Sequence, residues 1–104
     1  MTPEKIIQNQ IIKYFKQLHD TGHKCIIERR QAGGFNYKMG IPDLYAVYDG
    51  IHIEIEVKAP NGHLRTMQEK YRDKCKALNI LWCCIDNLDS MKNFMLEHFN
   101  VLSK

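Results

Sequence analysis

The chain has 104 residues, a formal net charge of +3 and a hydrophobic share of 44%. A chain of this length forms one small domain that buries only about two-thirds of the surface exposed when it is unfolded. No apolar run is long enough to cross a bilayer, and the N-terminal residues lack the apolar segment of a secretory signal. We therefore expect a single cytoplasmic domain over residues 1–104, without a membrane partner.

The cysteines are too irregularly placed to indicate a metal or disulfide framework. Cys25, Cys75, Cys83 and Cys84 show no Cys-x-x-Cys spacing, and the last two are adjacent in an apolar segment. Buried free thiols in a reducing compartment are the preferred interpretation, with a zinc site or a disulfide as the alternatives.

The first third of the chain predicts a helix, a strand and a loop. Apolar residues at helical spacing predict a helix over residues 3–18, capped by Thr2 and ended by Thr21 and Gly22. A short strand follows over residues 25–30. Residues 31–40 contain glycines, aromatics and a lysine, which favours a loop.

A β-hairpin is the best-defined element in the sequence. Asp49-Gly50 is a strong signal for a two-residue hairpin turn, and residues 51–58 alternate strictly between apolar and polar. This turn predicts four cross-strand pairs: Tyr48 with Ile51, Val47 with His52, Tyr45 with Glu54, and Asp43 with Glu56. The alternation predicts a core-facing set of Leu44, Ala46, Tyr48, Ile51, Ile53, Ile55 and Val57.

The rest of the chain predicts a helix, a buried strand and a last helix. The helix begins at Leu64, and its core-facing stripe consists of Leu64, Met67, Tyr71, Cys75 and Leu78. Residues 80–85 form an apolar strand, buried on both faces and parallel to the strand before the helix. A last helix, capped within residues 86–90, extends to about residue 99. The predicted order is α-β-β-β-α-β-α: an α/β fold with a central mixed β-sheet flanked by helices.

The hairpin places two carboxylates opposite each other. The side-chain stems of Asp43 and Glu56 are expected to lie roughly 5 Å apart, and facing like charges destabilise a strand pair. A hard cation between them, Mg²⁺ or Mn²⁺, would relieve this repulsion, because such ions prefer oxygen ligands. Lys58 reaches the same place and can orient a water molecule or stabilise charge on a phosphate. The alternative is an exposed sheet edge of mixed charge.

The charge distribution is consistent with a polyanionic partner. Residues 1–38 and 59–80 are net basic, whereas residues 39–58 carry four acidic side chains and one basic one. The loop before the hairpin adds aromatic residues that can stack on unpaired bases, Phe35 and Tyr37, and basic residues that can meet phosphates, Arg29, Arg30 and Lys38. Solvated helix faces and a flexible connector are the alternatives for these lysines and for this loop.

These motifs resemble a known nuclease signature. Pro42-Asp43 followed by Glu56-Val57-Lys58 is similar to the PD-(D/E)xK motif, and a wider set resembles the VRR-NUC branch of that superfamily. The wider set consists of Glu4 in the first helix, Gly40 to Asp43, Glu56 and Lys58, and then Leu64 and Gln68 at the next helix. Arg65 is a departure, since the family often carries Ser or Thr there.

The resemblance implies a restriction-endonuclease-like core and a Mg²⁺- or Mn²⁺-dependent DNA nuclease. It implies that Asp43, Glu56 and the Val57 carbonyl hold the ion, with Glu4 near a second one. Lys58 and Gln68 would then act on the attacking water and the phosphate. It further implies a homodimer selective for branched DNA, as in Holliday-junction resolvases. The alternative is a non-catalytic DNA-binding module on the same fold.

Overall fold

The computed structural model describes residues 1–31 and 33–102, so Ala32 of the predicted loop and residues 103–104 lie outside the described part. The elements in chain order are α1 (Pro3–Asp20), β1 (Cys25–Arg29), α2 (Gly34–Met39), β2 (Leu44–Tyr48), β3 (Ile51–Val57), α3 (Thr66–Ala77), β4 (Leu81–Ile85) and α4 (Leu88–Phe99). A mixed four-stranded sheet is flanked by helices, which confirms the predicted fold class.

The sheet has the strand order β1-β2-β3-β4. The first two pairings are antiparallel, and β4 runs parallel to β3 after the α3 crossover. The predicted hairpin register is confirmed from Tyr48↔Ile51 to Tyr45↔Glu54. Asp49 and Gly50 both adopt positive φ, at 50° and 82°, as the tight hairpin turn requires. Asp43 lies one residue before β2, just outside the ladder that was predicted to include it.

The hydrophobic core lies between the sheet and the helices α1 and α4. Its fully buried side chains include Ile11 and Phe15 of α1, Ile53 and Ile55 of β3, and Met91 and Met95 of α4. Helix α3 packs on the other face of the sheet, where Glu54 and Glu56 are also buried. Both faces of β3 are therefore covered. No helix in residues 1–31 and 33–102 is long and apolar enough to cross a membrane.

Several local predictions were wrong, each because of packing. The predicted loop contains helix α2, which ends at Gly40 in the left-handed conformation and packs against α3. Helix α3 begins at Thr66 rather than Leu64, and Leu78 is 63% exposed at its C-cap. Cys84 is exposed because β4 is an edge strand; the other three cysteines are buried and all four are free thiols, as predicted.

Ile51 is also more exposed than the alternation predicted, at 48%. It lies directly after the turn, where the hairpin extends beyond the helices that cover the rest of the face. The core-facing assignment holds for Leu44, Ala46, Ile53, Ile55 and Val57, all of which are buried.

Gly40 holds α2 against the start of α3. Its φ is +72°, and a Cβ built there would overlap the Met67 carbonyl and lie 2.6 Å from the Gln68 amide nitrogen. Both atoms belong to the backbone of the first turn of α3, so they cannot move aside cheaply. A side chain at position 40 would push the segment Ile41-Pro42-Asp43 away from α3.

We expect Gly40→Ala to lower the free energy of unfolding by about 2 to 4 kcal/mol, from backbone strain plus overlap. Urea denaturation followed by circular dichroism measures this loss. Gly34→Ala is the matched control, because no atom lies within 4 Å of a Cβ there and its φ is not positive. The control should be neutral or stabilise the protein by up to about 1 kcal/mol. Equal stabilities for the two variants would contradict the packing described for Gly40.

Candidate active site

A small pocket collects the residues that the sequence singled out for chemistry. It has a volume of about 120 Å³ and lies where the end of β3 and the start of β2 meet the first turns of α1 and α3. Its lining consists of Glu4, Tyr37, Ile41, Asp43, Glu56, Val57, Lys58, Arg65 and Gln68. The residues predicted to hold a cation or to act in catalysis are thus brought together, although their roles stay predictions.

Glu56 is the buried acid of this pocket. It is 6% exposed, and its Oε1 atom is buried without a hydrogen-bond partner among residues 1–31 and 33–102. Burial raises the pKa of this carboxyl from 4.5 to about 7; Asp43 and Glu4 add to the rise, and Lys58 and Arg65 oppose it. A buried carboxylate with an unpaired oxygen is costly in a structural role and typical of a functional site.

Asp43 lies at the exposed rim of the pocket, next to a residue that the sequence analysis missed. Gln8 is 7% exposed, and its Nε2 donates to Asp43 Oδ2 at 3.3 Å. Gln8 comes one helical turn after Glu4, on the buried stripe of α1 between Ile7 and Ile11. A glutamine on an otherwise apolar stripe was the available signal for this contact.

Lys58 is held at the end of β3 by the parallel strand. Its amide donates to the Ile85 carbonyl at 3.0 Å, so the pairing with β4 continues one residue beyond Val57. This bond fixes the peptide group that carries the Val57 carbonyl. The Lys58 side chain is half-buried and acts electrostatically on Glu56, two residues earlier on the same face.

Arg65 forms the opposite wall. Its guanidinium carbon lies 3.8 Å from the centroid of the Tyr37 ring, and its Nη2 donates to the Tyr37 carbonyl at 3.1 Å. Its amide donates to Gln68 Oε1 at 2.8 Å, so Gln68 caps the first turn of α3. Sequence reasoning noted Arg65 only as a departure from the family pattern. The structure places it as a second cation of the pocket and as the contact that joins α2 to α3.

The donor set suits a hard divalent cation. Within residues 1–31 and 33–102, no group of three or more His, Cys, Asp or Glu side chains is arranged to hold a metal ion. The pocket instead offers the Asp43 and Glu56 carboxylates and the Val57 carbonyl, with Glu4 on the same lining. The unpaired Oε1 of Glu56 is an oxygen ligand of the kind that Mg²⁺ and Mn²⁺ prefer. The residues therefore fit the predicted cofactor.

The predicted DNA-contacting residues fall into two groups. Phe35 and Tyr37 are 71% and 63% exposed on α2, beside the pocket, and Lys38 is exposed on the same short helix. Arg29 is exposed on β1 and donates to Asn9 Oδ1 at 2.9 Å. The contacts of these four residues with DNA stay predictions.

Arg30, the fifth of these residues, is already paired within the protein, and its contact with DNA stays a prediction. Its guanidinium is only partly exposed and forms a two-pronged ion pair with buried Glu54, at 2.7 and 2.6 Å. An arginine whose donors are already paired is a poor phosphate ligand, and the sequence could not show this because Glu54 lies 24 residues further along the chain.

Comparison with known proteins bears on the fold. No family model matches the sequence, and neither does any curated protein. A solved structure described as a "VRR_NUC domain" superposes with a TM-score of 0.74, covering 95% of this chain and 99% of that chain at 18% identity. The chain has the VRR-NUC fold. The resemblance predicted from the motifs is thus supported at the level of the fold.

The pKa of Glu56 predicts how stability depends on pH in the absence of divalent cations. Between pH 4.5 and 7 the folded state keeps the proton that the unfolded state has lost, so the free energy of unfolding falls as the pH rises. Glu56→Gln stays neutral and should escape this loss. We expect it to match the wild type below pH 4.5 and to exceed it above pH 7 by about 3 kcal/mol.

Urea denaturation in chelator-containing buffer across this pH range measures the difference. Glu97→Gln, on the exposed side of α4, is the matched control and should run parallel to the wild type. A Glu56→Gln protein less stable than the wild type at pH 8 would show that the ionised carboxylate stabilises the fold.

Proposed function

We propose that the protein is a divalent-cation-dependent nuclease that hydrolyses phosphodiester bonds in DNA. The observation that carries this proposal is the unpaired, buried Glu56 carboxylate, which shares a pocket with Asp43 and Lys58 in a domain of the VRR-NUC fold. Two carboxylates that can hold a divalent cation and a lysine beside them can act together in phosphodiester hydrolysis.

Asp43, Glu56 and the Val57 carbonyl would hold Mg²⁺ or Mn²⁺, and Glu4, which lines the same pocket, would be available to a second ion. When bound, the cation supplies Lewis-acid chemistry at the scissile phosphate. Lys58 positions the attacking water or neutralises the charge that develops on the phosphate oxygens. Gln68 Oε1 accepts a hydrogen bond from the Arg65 amide; this contact caps the first turn of α3 and holds Arg65 at the pocket.

The electrostatics of the pocket favour a phosphate next to the acidic centre. The first turns of α1 and α3 both line it, so two helix N-termini direct their positive dipole ends there. Lys58 and Arg65 add full positive charges. The bound phosphate would therefore lie between these cations and the carboxylates, with Phe35 and Tyr37 of α2 available to stack on exposed bases.

Branched DNA is the substrate class that we favour, cut by a homodimer. The exposed aromatic side chains of α2 fit unpaired or distorted bases better than a regular duplex. A two-fold dimer carries two such sites, which suits the two symmetric strands of a four-way junction.

Cleavage should separate the role of Lys58 from that of the carboxylates. Labelled linear, flap and four-way-junction DNA are incubated with wild type, Lys58→Ala and Asp43→Asn, with and without Mn²⁺. Lys58→Ala should lose at least about 100-fold in rate yet keep Mn²⁺ and DNA binding, because it acts on the transition state. Asp43→Asn should lose cleavage together with the thermal stabilisation that millimolar Mn²⁺ gives the wild type.

Lys70→Ala serves as the control for a lost surface lysine, since it is exposed on α3 outside the pocket. A wild type that binds DNA without cutting any substrate would support the non-catalytic DNA-binding module instead. Cleavage by Lys58→Ala at the wild-type rate would remove the role assigned to this lysine.

Substrate preference and assembly can be tested together. We expect light scattering to show a dimer, and junction DNA to be nicked in pairs across the branch point and in preference to linear duplex. Phe35→Ala and Tyr37→Ala should reduce the preference for branched DNA. Arg29→Ala and Lys38→Ala should lower the affinity for every DNA by a similar factor and reduce the salt dependence of binding. A monomer that cuts linear duplex as fast as junctions would contradict the structural selectivity while leaving the nuclease activity standing.

A further inference from the structure

Glu54 is a second buried carboxylate on the α3 face of the sheet, two residues before Glu56. Its side chain is 4% exposed, yet unlike Glu56 it is fully engaged. Arg30 donates to it twice, at 2.7 and 2.6 Å, and His52 Nε2 lies 2.5 Å from its Oε2. The network formed by Arg30, Glu54 and His52 is thus anchored on the strand that carries Glu56 and Lys58.

The same arginine reaches the other half of the pocket. Its Nη1 also donates to the Pro42 carbonyl at 2.7 Å, and its backbone amide donates to the Asp43 carbonyl at 2.7 Å. Arg30 therefore fixes the two backbone carbonyls on either side of the Asp43 amide. It does so from the end of β1, at the point where the chain enters β2 and the regular ladder has not yet begun.

The surroundings of the network keep it rigid. The Arg30 guanidinium lies 4.8 Å from the centroid of the Tyr45 ring, and Tyr45 stacks on His52 with ring centroids 5.0 Å apart. Tyr71 and Cys75 of α3 face the same carboxylate; burial first, and then the Glu54 charge, raises the pKa of each. A network enclosed in this way has one arrangement, so it can hold Pro42 and Asp43 in one place.

We propose that Arg30 and Glu54 are positioning residues for Asp43: the ion pair holds the Arg30 guanidinium on the Pro42 carbonyl, in the peptide group that leads into Asp43, and thereby sets the affinity of the pocket for a divalent cation. The inference rests on the proposed function, since it takes Asp43 to be a ligand of that cation. Neither residue touches the cation or the substrate. They act by setting the distance between the Asp43 and Glu56 carboxylates, which belong to the two different arms of the hairpin.

Arginine is required for this role because of its geometry. One guanidinium spans both Glu54 oxygens and still reaches a carbonyl, whereas a lysine ammonium keeps the charge but lacks the planar fork. Arg30→Lys therefore leaves the buried carboxylate neutralised while releasing the Pro42 carbonyl. Glu54→Gln keeps the shape of the side chain but loses the strong pairing that orients Arg30.

The test measures Mn²⁺ binding by electron paramagnetic resonance, well below the melting temperature of each variant. We expect Arg30→Lys and Glu54→Gln to bind Mn²⁺ about 10-fold more weakly than the wild type, as is typical when the residues that orient metal ligands are changed. The double variant should bind Mn²⁺ no more weakly than the single variant with the lower Mn²⁺ affinity, because the two residues act as one unit.

Two controls separate positioning from stability. Met95→Ala empties part of the core on the other face of the sheet, so it should lower the melting temperature yet bind Mn²⁺ within about twofold of the wild type. Arg72→Lys changes an arginine of the partly exposed pair with Asp73 and should alter neither property. If Glu54→Gln does not fold, Arg30→Lys decides the question, since it retains the charge.

Each outcome has a defined meaning. Wild-type Mn²⁺ affinity in folded Arg30→Lys would overturn the positioning role and leave the proposed nuclease intact. So would a weakening of equal size in Met95→Ala, because the loss would then follow stability alone. A wild type that does not bind Mn²⁺ would overturn the cation site itself, and the positioning role with it.

Discussion

The register of the β2–β3 hairpin is the constraint on which the rest of this structure depends. Because side chains alternate along a strand, a slip of one residue would exchange the faces of β3 and turn Glu54 and Glu56 into the core beside Phe15 and Met91. Burying two unpaired carboxylates among apolar side chains would cost far more than a small domain can tolerate. The turn at Asp49-Gly50, with both φ angles positive, and the buried Ile53 and Ile55 hold the register together.

Two neighbouring carboxylates on one face of β3 show how burial separates structure from function. The Glu54 carboxylate pairs with Arg30 and His52. Through Arg30, which also donates to the Pro42 carbonyl, it fixes the junction between β1 and β2. Glu56 is equally buried but keeps an unpaired oxygen and a raised pKa. A fold retains such an uncompensated group when something outside the chain completes it, and a divalent cation has the chemistry to do so.

One wall of the pocket comes from a segment with few buried contacts of its own. Helix α2 has six residues and no buried side chain, so it depends on α3 through Gly40 against Met67 and through Tyr37 against Arg65. The exposed aromatic side chains beside the pocket are therefore carried by a segment whose position depends on its contacts with α3.

Local signals in the sequence determined the order of the main elements, the hairpin register and the meeting of Asp43, Glu56 and Lys58. The strict alternation of residues 51–58 and a turn that only a few residue types can adopt were sufficient for these features. The tertiary structure alone decided which polar groups find partners. Gln8 beside Asp43, Arg30 on Glu54 and Arg65 over Tyr37 join residues 24 to 35 positions apart, and such pairings leave no periodic trace. For the same reason α2 was missed, because the packing of Gly40 on α3, rather than the propensity of its own residues, makes it a helix.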